Sequence, residues 1–167
     1  MMNTNSTKPT LGRMETTDIL KLLPHRYPFL LVERLVDIDG DSSATGIKNV
    51  TIDEPYFQGS FPNNPVMPTM LLLEGMAQTA GALCMHHLKV KEPPVIYFMS
   101  IDKARLRHPV RPGDTIHYRV EKKFAVAEWY GDTAGGLSLT GRLLLRPNLA
   151  LQLSVTQNGR HDPSKGG

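Results

Sequence analysis

From Gln58 to Gln78 the chain reads QGSFPNNPVMPTMLLLEGMAQ: a loop of Gly, Pro and Asn running straight into a helical stretch that is apolar almost all round and carries one acid, Glu74. A helix with so little polar face has to be wrapped by the rest of the chain, so this segment demands a fold in which other elements enclose it. A carboxylate set between Leu73 and Met76, short of water and with no opposite charge beside it, is costly unless it has a task. Glu74 is therefore the first candidate for holding or releasing a proton in a reaction.

The spacing predicts that the helix starts near Pro68 or Thr69, where proline suits the first turn and the Thr hydroxyl can accept an orphan N–H, and that it ends near Lys89 ahead of Pro93 and Pro94. About twenty residues give roughly 30 Å of helix. Gln78, four residues beyond Glu74, falls on the same face and is placed to hydrogen-bond the carboxylate or a bound water. Upstream, a short helix over Thr17 to Leu23 is broken by Pro24 and Pro28. PFLLVERLVDI then reads as a strand, Gly40 to Ser42 as a turn, and Ala44 to Ile52 as the pairing strand.

Four more strands are expected over Val95 to Arg105, Thr115 to Ala127, Leu137 to Leu145 and Leu149 to Thr156, the last alternating cleanly between apolar and polar residues. The sum is an α+β domain in which an antiparallel sheet of about six strands wraps one long central helix. Residues 17–156 form that single domain; residues 1–16 and 157–167 read as disordered tails.

Composition narrows the function classes. The one cysteine, Cys84, excludes a disulfide framework and a Cys-His metal pattern, and fits a reducing cytoplasm. The apolar run from Met67 to Met85 is interrupted by Glu74, Gln78, Thr79 and two glycines, which favours a buried helix over a membrane span, and the first residues carry no signal-peptide pattern. A formal charge of +3 is too mild for a nucleic-acid binder, and the basic residues are not interleaved with aromatics. They do cluster, at Lys103, Arg105, Arg107 and Arg111, with Lys122 and Lys123 on the next strand, as a patch able to attract an acidic partner.

The loop and helix are similar to the pattern GHFPGNPVMPG, two or three aliphatics and E-x-M-A-Q of the beta-hydroxyacyl-acyl-carrier-protein dehydratases of fatty acid synthesis, which have the hot-dog fold. The resemblance extends through LPHRYPFLLVER (Leu23 to Arg34), GIKNVTIDEPYFQG (Gly46 to Gly59) and YFMSIDKARLRHPVRPGD (Tyr97 to Asp114), in the family's order and covering roughly two thirds of the chain. It implies elimination of water from a (3R)-3-hydroxyacyl thioester on an acyl carrier protein to give the trans-2-enoyl thioester, with no cofactor and no metal. Position by position it puts Glu74 at the acid that protonates the departing hydroxyl, Ser60 where the family has its basic histidine, and the Thr69 amide at the donor to the thioester carbonyl. Gln78 takes an orienting place. Phe61, Val66, Met67, Tyr97 and Phe98 take the wall of the acyl tunnel, and Lys103, Arg105, Arg107 and Arg111 the docking surface for the carrier.

Asn63 and Thr69 replace glycines of the pattern. The resemblance also implies dimers that assemble into a trimer of dimers. A serine hydroxyl stays protonated at neutral pH, so Ser60 cannot replace an imidazole directly. Of the other histidines, His86 and His87 lie more than three turns beyond Glu74, while His25 and His108, beside prolines, read as turn or edge residues and His117 sits on a strand. Two functions follow from the departure at Ser60: a weakened or rewired dehydratase, or a silent hot-dog subunit that binds acyl chains or completes a hetero-oligomer with an active partner.

Overall fold

A computed structural model describes residues 11–59, 63–89, 98–103, 109–125, 136–144 and 150–158, with side chains described as far as residue 122 except over 98–103. The elements run β1 (Gly12–Met14), α1 (Thr16–Leu22), β2 (Arg34–Asp39), β3 (Ser43–Asn49), α2 (Pro55–Gln58), α3 (Thr69–Leu88), β4 (Phe98–Lys103), β5 (Thr115–Ala125), β6 (Gly136–Leu144) and β7 (Ala150–Asn158). The strands form one sheet in the order β1-β2-β3-β5-β6-β7-β4, and each described pair is antiparallel. The long helix, the α+β class and the antiparallel sheet stand as the sequence has them.

Two boundaries move. Gly12–Met14, assigned from sequence to a disordered tail, pairs with β2, and β7 runs on to Asn158. The strand expected over PFLLVERLVDI begins only at Arg34. Before it the chain bends, with Phe29 N–H and Leu30 N–H both donating to Arg26 O at 2.7 and 3.0 Å, and the Tyr27–Pro28 peptide is cis.

The core follows from the alternation of β5 against α3. Ile116, Tyr118 and Val120 are buried, Thr115, Arg119 and Glu121 exposed, so one face of the strand meets the helix. The first half of α3 (Leu72, Leu73, Met76) packs with Leu31, Phe57, Met67, Val110, Ile116 and Tyr118. Its second half (Ala80, Ala82, Leu83) packs with Ile19 of α1 and with Val32, Leu35, Ala44 and Val120.

Two glycines let helix and sheet approach this closely. A Cβ on Gly75 would stand 2.8 Å from Tyr118 Cε2 and nearer still to the phenol end of the ring; one on Gly46 of β3 would stand 2.8 Å from Thr79 Cγ2 and nearer still to its hydroxyl. Gly46 and Tyr118 are direct cross-strand partners, so the two contacts lock the helix over one point of the sheet.

Candidate active site

Glu74 projects from the first half of α3, and its neighbours on two segments define what it can do. Gln78, one turn on, is 3% exposed, and its amide is fully engaged. Its Oε1 accepts the Leu31 N–H at 2.8 Å, while Nε2 donates to Phe29 O at 2.7 Å and to Glu74 Oε1 at 2.9 Å. Because Leu31 offers a donor and Phe29 an acceptor, the amide fits only one way round, and it must turn an N–H toward the carboxylate.

The second neighbour is His25, whose Nε2 lies 3.3 Å from the same Glu74 Oε1. The loop that carries it is tied to α1 by Arg26, whose Nη1 donates to Leu23 O and His25 O at 2.8 and 2.7 Å and whose Nη2 donates to Leu20 O at 3.0 Å. His25 Nδ1 is buried and has no hydrogen-bond partner among the described residues. Both contacts to the carboxylate therefore fall on Oε1, and among the described residues nothing donates to Oε2.

These contacts correct the expectation of an unpaired acid stripped of water. Glu74 is paired, and its side chain is 41% exposed in the single chain. Sequence reasoning placed His25 in a turn and missed this contact; the signal available was the resemblance over LPHRYPFLLVER, which marks the loop without saying what its histidine touches.

The loop before α3 is tied at two points to the segment that carries Val110 and Arg111. Met67, 1% exposed, donates its N–H to Val110 O at 2.9 Å, and Arg111 Nη1 donates to Asn64 Oδ1 at 2.5 Å. Arg111 is exposed, and its backbone N–H is held by Asp114 Oδ2 at 2.8 Å. Val66 is half-buried beside Met67. Thr69 is exposed at the first helical position with Pro68 as the N-cap, and among the described residues no side chain caps the helix, which corrects the expected role for its hydroxyl. Its amide remains at the helix N-terminus, where partial positive charge collects. Ser60, Phe61, Tyr97, Arg105 and Arg107 lie outside the described residues; Phe98 and Lys103 are placed as backbone of β4.

Upstream, Lys48 sits on the core side of β3 with its side chain 5% exposed. Its Nζ is 2.6 Å from Glu54 Oε1, 3.2 Å from Asn49 O and 3.7 Å from Glu33 Oε1. Glu54 directly precedes α2, so this pair anchors the turn that delivers the chain to Gly59. The hydroxyls of Tyr56 and Tyr118 are buried without partners among the described residues, and burial pushes both phenols well above their ordinary range, so neither is a proton carrier near neutrality. Burial likewise raises the thiol of Cys84. Among the described residues no group of three or more His, Cys, Asp or Glu is placed to hold a metal, and no helix is long and apolar enough to cross a membrane.

A FabA-like domain family model matches residues 23–134, which contain His25, Glu74 and Gln78. The 3-hydroxyacyl-[acyl-carrier-protein] dehydratase FabZ of Agrobacterium fabrum is 53% identical over 119 residues, covering 71% of this chain and 77% of its own. The chain belongs to the FabZ-type dehydratase family. The FabZ of Allorhizobium ampelinum is 58% identical over 113 residues, 68% of this chain and 73% of its own. Among solved structures, the dehydratase heterocomplex ApeI:P from Xenorhabdus doucetiae matches with a TM-score of 0.67 over 86% of this chain and 91% of its own, at 15% identity, a likeness of fold. The FabZ-type family and the antiparallel sheet packed on one long helix agree: this is a hot-dog domain.

Proposed function

We propose that this protein is a hydro-lyase that removes water from a (3R)-3-hydroxyacyl thioester carried on an acyl carrier protein, giving the trans-2-enoyl thioester in fatty acid biosynthesis. Membership of the FabZ-type family supports the reaction class, and the observation that carries it here is the held carboxylate. Gln78 fixes Glu74 by Oε1 and leaves Oε2 unoccupied among the described residues, the arrangement a proton-transfer group needs. The amides at the start of α3, Thr69 included, supply positive potential for a thioester carbonyl as charge builds on its oxygen. Elimination beside a thioester needs an acid, a base and an oxyanion donor, and no cofactor or metal.

Glu74 is half-exposed in the single chain, and the segments that carry the site present Tyr27, Phe29 and Met70 at 79%, 67% and 66% exposure. Large apolar side chains in that position suit cover by a second copy, which makes the working unit a homodimer, alone or within a trimer of dimers. The tunnel is assigned to Phe61, Val66, Met67, Tyr97 and Phe98, and the carrier surface to Lys103, Arg105, Arg107 and Arg111, a basic stretch suited to an acidic carrier. A single half-buried cysteine suits a cytoplasmic site of action.

The test is purified protein mixed with a 3-hydroxyacyl carrier protein, with the acyl mass followed over time. Loss of one water is expected. Acyl-carrier binding without loss of water, or turnover that appears only after a second hot-dog subunit is added, would establish the silent-subunit reading instead.

A further inference from the structure

The elimination moves two protons, one off the carbon next to the carbonyl and one onto the departing oxygen, and Ser60 is a poor carrier for either. Two imidazole–carboxylate pairs occur among the described residues. One, His87 with Asp41 at 3.8 Å, lies at the far end of α3, where Asp41 is already bonded to Lys122. The other is His25 with Glu74 at 3.3 Å, at the proposed site itself.

We infer that His25 is the second catalytic residue of this chain, forming with Glu74 an acid–base couple drawn from one subunit. The inference deepens the dehydratase reading and rests on it. Three features of the geometry support the assignment. His25 Nε2 and Gln78 Nε2 converge on one carboxylate oxygen, so the other is left for substrate. The histidine is held at its backbone, through His25 O and Arg26 Nη1, while its side chain stays 35% exposed and reachable. Gln78 cannot turn to offer its carbonyl, so the couple's geometry does not depend on a mobile amide.

The step balances within the couple. Glu74 carboxylate takes the alpha proton at Oε2, the C–H electron pair becomes the new C=C bond, and the C–O pair leaves with the hydroxyl oxygen. That oxygen takes a proton from the His25 imidazolium at Nε2 and departs as water. The proton left on Glu74 then passes to His25 Nε2, and the resting couple is restored without any other reactant.

Three chains decide it: wild type, His25→Gln and His87→Gln, each assayed with a 3-hydroxyacyl carrier protein and each checked for an unchanged thermal midpoint. Glutamine can still donate an N–H to Glu74 but cannot carry a proton, so His25→Gln is expected to lower kcat by about 10² to 10⁴ with KM within a few-fold of wild type, while His87→Gln, at the far end of α3, stays close to wild type. Should His25→Gln fall in thermal midpoint, His25→Ala with added imidazole replaces it, and recovery of turnover by the free base is the expected result. An active wild type with a fully active His25→Gln, or no rescue of His25→Ala by imidazole, overturns the role of His25 and leaves the dehydratase reading standing. A wild type that turns over nothing overturns both.

Discussion

Gly75 of the central helix lies flush against the ring of Tyr118 on β5, so close that a methyl group at Gly75 would overlap the phenol end of the ring. Tyr118 is 0% exposed and held by its strand, and its ring has nowhere to retreat. Gly75 also follows Glu74 directly, so the contact that sets helix height over the sheet sets the carboxylate's position too. Gly75→Ala should gain helix propensity yet destabilise the protein by about 1–3 kcal/mol through overpacking, as read from the denaturant midpoint. Stability at or above wild type would show that the helix has room to shift.

Tyr118 itself carries a hydroxyl buried with no partner among the described residues. A buried, unsatisfied polar group costs about 1–3 kcal/mol, and phenylalanine keeps the ring while removing that cost. Tyr118→Phe should raise the thermal midpoint. A clear loss of stability would mean that the hydroxyl has found a partner, a bound water for instance.

Lys48 and Glu54 form a largely buried ion pair beneath the turn that leads to Gly59. Removing one partner of such a pair leaves the other charge without its counter-ion, at a cost of about 3–5 kcal/mol. Lys48→Ala is expected in that range, whereas replacing both residues with apolar ones of similar volume should cost much less. Equal losses for the single and double variants would contradict the pairing.

The pH dependence of stability has a traceable component in Asp41. Its hydrogen bond from Lys122 holds the carboxyl below the ordinary 3.8, with further help from the nearby charges of Lys122 and His87. A group whose value is lowered in the folded state contributes stability above its unfolded value and loses it as pH falls through the folded one. The stability difference between wild type and Asp41→Asn should therefore be level near neutrality and shrink toward zero below pH 3.8. A difference as large at pH 3 as at pH 7, read from paired denaturation curves, would remove Asp41 from the account.

The central helix was legible because so little of it tolerates water, and β5 because Ile116, Tyr118 and Val120 alternate with polar residues. The segment before β2 was not. PFLLVER has the composition of a strand, but Gln78 captures Phe29 O and Leu31 N–H, the backbone groups a strand would have offered to a neighbour, from 49 and 47 residues away. No local periodicity encodes such a contact, nor the approach of His25 to Glu74 across 49 residues of chain. β1 is three residues long and too short to carry a pattern of its own. The spacing of Glu74 and Gln78 on one helical face, by contrast, needed only the 3.6-residue repeat.

The proposed elimination requires Glu74 to be a working proton carrier, and Glu74→Gln tests that most directly. Glutamine keeps the shape of the side chain and removes its ability to take a proton. Initial rates of water loss from a 3-hydroxyacyl carrier protein should fall by about 10² or more in kcat, with the thermal midpoint near that of wild type. A Glu74→Gln protein that forms the enoyl thioester as fast as wild type would contradict the account.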